Sequence, residues 1–340
     1  MPNLTINDIA KLAKVSTATV SRALNSPHLL RPATLSRVLS TIKEHEYIYN
    51  ALAGDMSKRK SSVLGIYVPT VESAKLSETV FAFQETVQAQ GYPVILNNTN
   101  FNAKQENDQL RQARERSLSG IFLIGYMAEN LPYIDEIIKG GIPCFFLWDI
   151  LPDTSYNYVG FDNHVASLNM TRYLLNLGHR RVAFVGAMQS RIERVQKRLS
   201  GYLTALVEKS IPVDQELIKE APPNLENGYQ IMNLFLAMKT KRPTAIFFAS
   251  DMLALGALAA CRQWGINVPE EISIAGFDNV EFADYGQPPL TTVYVPSKEI
   301  GRVAGRFLLD AIQQGKPGPY QCCLETSLLL RESCAPPRPF

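Results

Sequence analysis

Two rhythms divide the chain. Up to His45, apolar residues recur at helical spacing in three short sets: Ile6, Ile9, Ala10 and Ala13; Val15, Ala18, Val20, Ala23 and Leu24; and Leu35, Val38, Leu39 and Ile42. Recurrence every three or four residues gathers each set on one side of a helix. Thr5 followed by Asp8 predicts the first helix start, with the hydroxyl capping free N–H groups and the acid meeting the positive end. Lys14 and Val15 make a turn, Ser16 is a natural N-cap for the second helix, and Pro32 suits the first turn of the third. From Val63 the rhythm changes to short apolar runs separated by amphipathic stretches. Strands are predicted at Val63–Val68, Val94–Asn98, Gly120–Ile124, Cys144–Trp148, Val182–Gly186, Ala245–Ala249 and Ser273–Phe277. Helices are predicted at Ser77–Gln90, Lys104–Ser117, Val165–Leu177, Glu193–Lys209 and Asp251–Trp264. Such alternation implies an α/β body of doubly wound parallel sheets, and its length calls for two similar lobes.

Composition sharpens the division. The 340 residues carry a net charge of only +2, but residues 1–60 hold nine Lys and Arg against four Asp and Glu. A basic head on a mildly acidic body is expected to meet a polyanion with the head alone. Cys144, Cys261, Cys322, Cys323 and Cys334 lack metal-ligand spacing, and reduced thiols are expected. The opening MPNLTINDIAKLAK has no apolar run before a cleavage site, and no apolar run is long enough to span a bilayer. A cytoplasmic protein with no membrane partner is therefore expected.

Three short helices with a tight turn between the first two make a helix-turn-helix unit, whose second helix enters the DNA major groove by its N-terminal half. That places Thr17 and Ala18 at the base edges and Arg22 one turn further along. Arg can bond guanine bidentately, and Ala and the Thr methyl can touch thymine methyls. Ser16, Thr19, Ser21 and Asn25 suit phosphates or caps.

LTINDIAKLAKVSTATVSRALN, followed by YIYNALAGDM, resembles the N-terminal signature of the lactose-repressor (LacI/GalR) family of bacterial transcription regulators. The resemblance extends more diffusely over the rest of the chain. It implies a homodimer on a near-palindromic operator, controlled by a small effector, and it carries Thr17, Ala18 and Arg22 over as base readers. Residues 1–48 would form the head and 49–62 the hinge. Residues 63–335 would form a periplasmic-binding-protein-like clamshell for effector binding and dimerisation. Its lobes would be 63–160 with 293–321, and 161–290 with 322–335, joined by crossovers near Gly160–Asn163, Leu290–Val293 and Tyr320–Cys323. In the hinge, Asn50, Ala53 and Met56 take the minor-groove positions, with Met56 in place of the usual Leu wedge. Gly54 and Asp55 weaken that segment as a helix, so it should fold only on DNA, while Lys58, Arg59 and Lys60 make binding salt-dependent.

Ligands of open α/β sheets bind beyond the carboxyl ends of strands. The cleft candidates are accordingly Lys75, Leu76, Tyr126, Trp148 and Asp149 from the first lobe, with Asp162, Asn163, Arg198, Asp251 and Asp278 from the second. Arg198, in RLSGY, and Asp278, closing SIAGFDN, match the family's effector-holding positions. For Asp251 and Asp162 a helix-capping role competes, and for Trp148 a place in the core. Carboxylates, an Arg and aromatic rings suit a sugar-like effector. Lys75 and Leu76 stand where the family usually has an aromatic pair, which favours a negatively charged sugar derivative near Lys75.

Two other classes compete. A periplasmic sugar-binding protein would share the body but not the basic head or the missing export signal. An enzyme would need chemistry that the sequence does not offer. His28, His45, His164 and His179 form no metal-spaced pair, and no P-loop, G-x-S-x-G or G-x-G-x-x-G motif follows a strand. Neither metal nor cofactor is expected. The Pro-rich ending RESCAPPRPF lacks the heptads of a tetramer bundle, leaving a dimer through the body.

Overall fold

The computed structural model describes residues 4–48, 61–152, 154–187, 193–238, 241–314 and 318–338. The chain divides into two compact units at Ser61–Ser62. Asn50, Ala53 and Met56 lie outside the described residues, as does the side chain of Asn25.

The first unit has three helices: α1 (Ile6–Leu12), α2 (Thr17–Asn25) and α3 (Pro32–Glu44). Thr5 and Asp8 cap α1 reciprocally, each side chain meeting the other residue's backbone N–H. Lys14, at φ 53°, turns the chain sharply, and Val15 N–H bonds the Ala10 carbonyl at 2.9 Å. Ile9, Ala10, Ala13, Val20, Ala23 and Val38 form the small core. Ala18 is not in it: within the apolar set of α2 it stands on the exposed side.

The second unit holds two six-stranded sheets. The first is ordered β2 (Val94–Asn98), β1 (Leu64–Val68), β3 (Gly120–Ile124), β4 (Cys144–Leu147), β5 (Asn157–Gly160) and β11 (Gln321–Cys323), all parallel. The second is ordered β7 (Ile218–Glu220), β6 (Val182–Gly186), β8 (Ala245–Phe248), β9 (Ser273–Asp278), β10 (Thr291–Tyr294) and β12 (Ser327–Leu329), parallel except for the β10–β12 pair. Central strands such as β1, β3 and β6 are buried along their whole length, as a sheet covered on both faces requires. The helices beside the first sheet are α4 (Ala74–Gln88), α5 (Ala103–Glu115), α6 (Leu131–Lys139) and α11 (Ser297–Gln314). Those of the second are α7 (Asn163–Asn176), α8 (Glu193–Glu208), α9 (Leu225–Ala237) and α10 (Asp251–Gln263).

The chain passes between the sheets three times, and two passages fall later than the sequence suggested. Thr291–Tyr294 pairs with β9, so the second passage is at Val295–Pro296 and not at 290–293. Gln321–Cys323 pairs with β5, so the third runs through Leu324–Thr326 and not through 320–323. In both cases the residues form a short strand that completes one sheet, and the connection follows it. One apolar cluster runs through both lobes, from Phe122 and Phe145 to Phe184 and Phe247. Trp148, Phe161 and Phe277 form its bridge, with ring centroids 6.0 and 6.1 Å apart.

Candidate DNA-reading helix and effector cleft

In the head, packing decides what α2 can offer. Burying Val20 and Ala23 turns Thr17, Ala18 and Arg22 outward, and all three are exposed. Ser16 and Thr19 are committed to the helix start: Thr19 N–H bonds Ser16 Oγ at 3.2 Å, and the two hydroxyls are 2.9 Å apart. Ser21 is half-buried.

In the body, the carboxyl ends of strands from both sheets meet around one buried side chain, Asn163. It lies at the start of α7, behind Asp162, whose carboxylate caps the helix by accepting the Val165 N–H at 2.9 Å. Asn163 Nδ2 donates to the Trp148 carbonyl at 2.8 Å and, more weakly, to Asp149 Oδ1 at 3.4 Å. Its Oδ1 accepts from Arg198 Nε at 2.9 Å. Arg198 also donates to the Ala249 carbonyl at 2.9 Å, sits 3.7 Å over the Phe277 ring and lies 3.9 Å from Asp278 Oδ1. Asp278 takes a φ of 109°, a strained conformation that β9 and the following turn impose at the strand's end. Burial raises its pKa to about 6, against the pull of Arg198, Arg194 and Lys75.

Two cations missed by the sequence reading complete the junction. Lys197 Nζ bonds Asp149 Oδ2 at 2.7 Å and the Ile150 carbonyl at 2.8 Å. Arg194 Nη1 bonds the carbonyl of Ile124, the last residue of β3, at 3.2 Å. Both side chains reach from α8 of the second lobe onto strand ends of the first. Their spacing from Arg198, four and one residues, was the available signal, since positions 194 and 198 share a helix face. Burial raises the Asp149 pKa, and Lys197 opposes that rise.

The remaining candidates separate. Tyr126 is buried against Phe146, edge-on at 4.9 Å, and burial followed by Glu193 and Asp149 holds its hydroxyl protonated. Trp148 is a wall of the core and not an open platform: it is 2% exposed, and its indole N–H bonds Thr79 Oγ1 at 2.9 Å. Leu76 is in the same core. Lys75 is buried and paired, with Nζ 3.2 and 3.1 Å from the Glu78 oxygens. That pairing leaves Lys75 a poor counter-ion for a charged sugar.

Asp251 also departs from its expected place. Its carboxylate turns under β9 and β10, accepting from Val280 N–H at 2.8 Å and from the Thr292 hydroxyl at 2.6 Å. Gly276 makes room for it, since a Cβ there would lie 2.1 Å from Asp251 Oδ1. Burial, reinforced by Asp278, raises the Asp251 pKa to about 8. Its oxygens are spent on holding the lobe together.

A helix-turn-helix head and a two-lobed α/β body with a polar junction at its strand ends define a ligand-responsive DNA-binding protein. Residues 5–50 match the model for bacterial regulatory proteins of the lacI family, and residues 171–334 match a periplasmic binding protein-like domain. The transcriptional repressor CytR of Escherichia coli (strain K12) is 31% identical over 331 residues, covering 97% of this chain and 96% of CytR. The lac repressor dimer bound to operator and the anti-inducer ONPF superposes with a TM-score of 0.86 at 24% identity, covering 98% of this chain and 99% of the repressor. A complex of the transcriptional regulator CelR with cellobiose gives a TM-score of 0.71 at 27% identity, covering 97% and 99%. The chain belongs to the LacI family: it is a DNA-binding transcription regulator and not an enzyme. Among the described residues no helix is long and apolar enough to cross a membrane.

Proposed function

We propose that the protein is a repressor that reads its operator through Thr17, Ala18 and Arg22 and is released or retained by an effector held between the lobes. The observation that carries the DNA reading is the sorting of α2, with Val20 and Ala23 buried while Thr17, Ala18 and Arg22 are exposed together. Arg22 supplies bidentate guanine contact, and Thr17 and Ala18 supply the methyl contacts that distinguish thymine. Ser16 and Thr19, with Ser21 and Asn25 beside them, lie against phosphates, and Asn50, Ala53 and Met56 engage the minor groove.

The effector reading rests on Arg198, Asp278 and Tyr126 at the converging strand ends. Asp162, Asn163, Trp148 and Asp149 frame the site, and Lys75, Leu76 and Asp251 support it from behind. CelR, 27% identical, binds cellobiose, which favours a carbohydrate-like ligand. Two copies pair through the body, where Phe81, Phe282 and Tyr285 expose 66%, 67% and 77% of their surface. The dimer reads a near-palindromic site and works in the cytoplasm, at the nucleoid.

Selection of DNA from a random pool by the full chain, followed by footprinting, tests the reading. Two inverted half-sites, with guanine preference at one position lost in Arg22→Ala, are expected. Sequence-independent binding by the wild type would refute it.

A further inference from the structure

We propose that the effector is a small polyhydroxylated anion whose negative group pairs with the guanidinium of Arg194. This rests on the interlobe junction being the effector site and specifies what enters it. Four cations converge there, and three have a carboxylate of their own. Lys75 has Glu78 at 3.1 Å, Lys197 has Asp149 at 2.7 Å, and Arg198 has Asp278 at 3.9 Å. Arg194 has none: among the described residues no carboxylate comes within 4.0 Å of it.

Arg194 is nevertheless only 7% exposed. Its direct acceptor among the described residues is the neutral Ile124 carbonyl, with Asp149 and Asp278 acting on it only from longer range, and an ionised guanidinium so placed is costly to bury. Burial, with Arg198 close by, pulls its pKa down to about 10, which still leaves it charged at neutral pH. A carboxylate or phosphate would relieve that cost and match the planar fork bidentately. One helical turn away on the same face, Arg198 and its partner Asp278 offer a donor and an acceptor for hydroxyl groups. The arrangement therefore has a polarity: acid at Arg194, polyol at Arg198 and Asp278. A neutral sugar would meet the second half and leave the first unpaired.

The test compares matched pairs on the full chain at constant ionic strength, by thermal shift and titration calorimetry: glucose with gluconate, and ribose with ribose 5-phosphate. At least one anion should bind while its neutral parent binds far more weakly, and which pair responds separates carboxylate from phosphate. Arg194→Gln should weaken that anion by about ten- to a hundredfold, the scale of a lost charge-assisted hydrogen bond, and leave the neutral parent unchanged. Arg194→Lys should restore part of the loss. Neutral sugars binding as well as their acids, or no anion binding at all, would overturn the proposal. The wild-type comparison stands if Arg194→Gln does not fold. The DNA reading is judged separately by the operator selection and survives either result.

Discussion

Replacing Asn163 with alanine should cost the body more stability than any other single polar truncation near the junction. The side chain is fully buried and holds three groups: the Trp148 carbonyl at 2.8 Å, Arg198 Nε at 2.9 Å and, weakly, Asp149. Alanine orphans a buried carbonyl and a buried guanidinium N–H. Each orphan costs about 1–3 kcal/mol, so the sum is about 2–6 kcal/mol, with the lower half expected if water enters the space. For a body of this size about 2–4 °C is lost per kcal/mol, which predicts a Tm drop of about 6–12 °C for a 3 kcal/mol loss. Differential scanning calorimetry of the full chain reads this directly. The nearly isosteric Asn163→Asp keeps the acceptor for Arg198 but sets a carboxylate 3.4 Å from the Asp149 oxygen, where Nδ2 now donates. Its folded pKa would be raised, so its penalty should be absent below the unfolded carboxyl pKa and complete above the folded one. A loss under about 1 kcal/mol for Asn163→Ala would refute the claim that this residue joins the lobes.

Asp251, with a folded pKa of about 8 against 3.8 unfolded, should cost stability progressively as pH rises between those values. Asp251→Asn, which mimics the protonated acid, should therefore gain on the wild type between pH 5 and 8 in urea titrations; a constant difference would contradict this. Ser16→Ala should lose about 1 kcal/mol of α2 stability, seen as faster amide exchange at Thr19 with the body unaffected. Arg22→Ala should leave Tm unchanged and weaken operator binding by about 1–3 kcal/mol, while relaxing the preference at one base pair. Affinity for a cognate operator should fall steeply with added salt, and a flat dependence would exclude the phosphate role given to the basic hinge residues.

Most elements were legible because each strand is a short apolar run bounded by turns, and β2, β3 and β6 fall where the pattern put them. The head was legible down to its caps, since Thr5–Asp8 and Ser16 act locally. What the pattern could not carry was relation. Arg194 and Lys197 sit in ERVQKRLSGY, which reads as a solvated charged face until the first lobe's strand ends are laid against it. Asp251 follows a strand, as a cleft residue should, but its carboxylate turns inward because Gly276 leaves space that no periodicity reports. Leu76 follows β1, as a cleft residue should, and its burial in the core depends on long-range packing, as does that of Trp148, for which the sequence already offers a core role. The strands β10, β11 and β12 have only three or four residues each, too few to show a period, and β11 pairs with a strand far off in sequence.

The three passages between sheets also set an order of assembly. The first sheet gains its edge strand at Gln321–Cys323, and its helix α11, from Ser297 onward, packs on α4 of the same lobe. The second sheet is complete only when Ser327–Leu329 arrives. As the chain leaves the ribosome, neither lobe can therefore close until nearly all of it has emerged. Among the described residues the head's small core draws on none beyond Tyr47, so it can fold long before. A nascent chain would thus hold a finished DNA-binding unit ahead of an unfinished body. Truncation after Tyr294 would strip both lobes at once, leaving neither as a folded remnant.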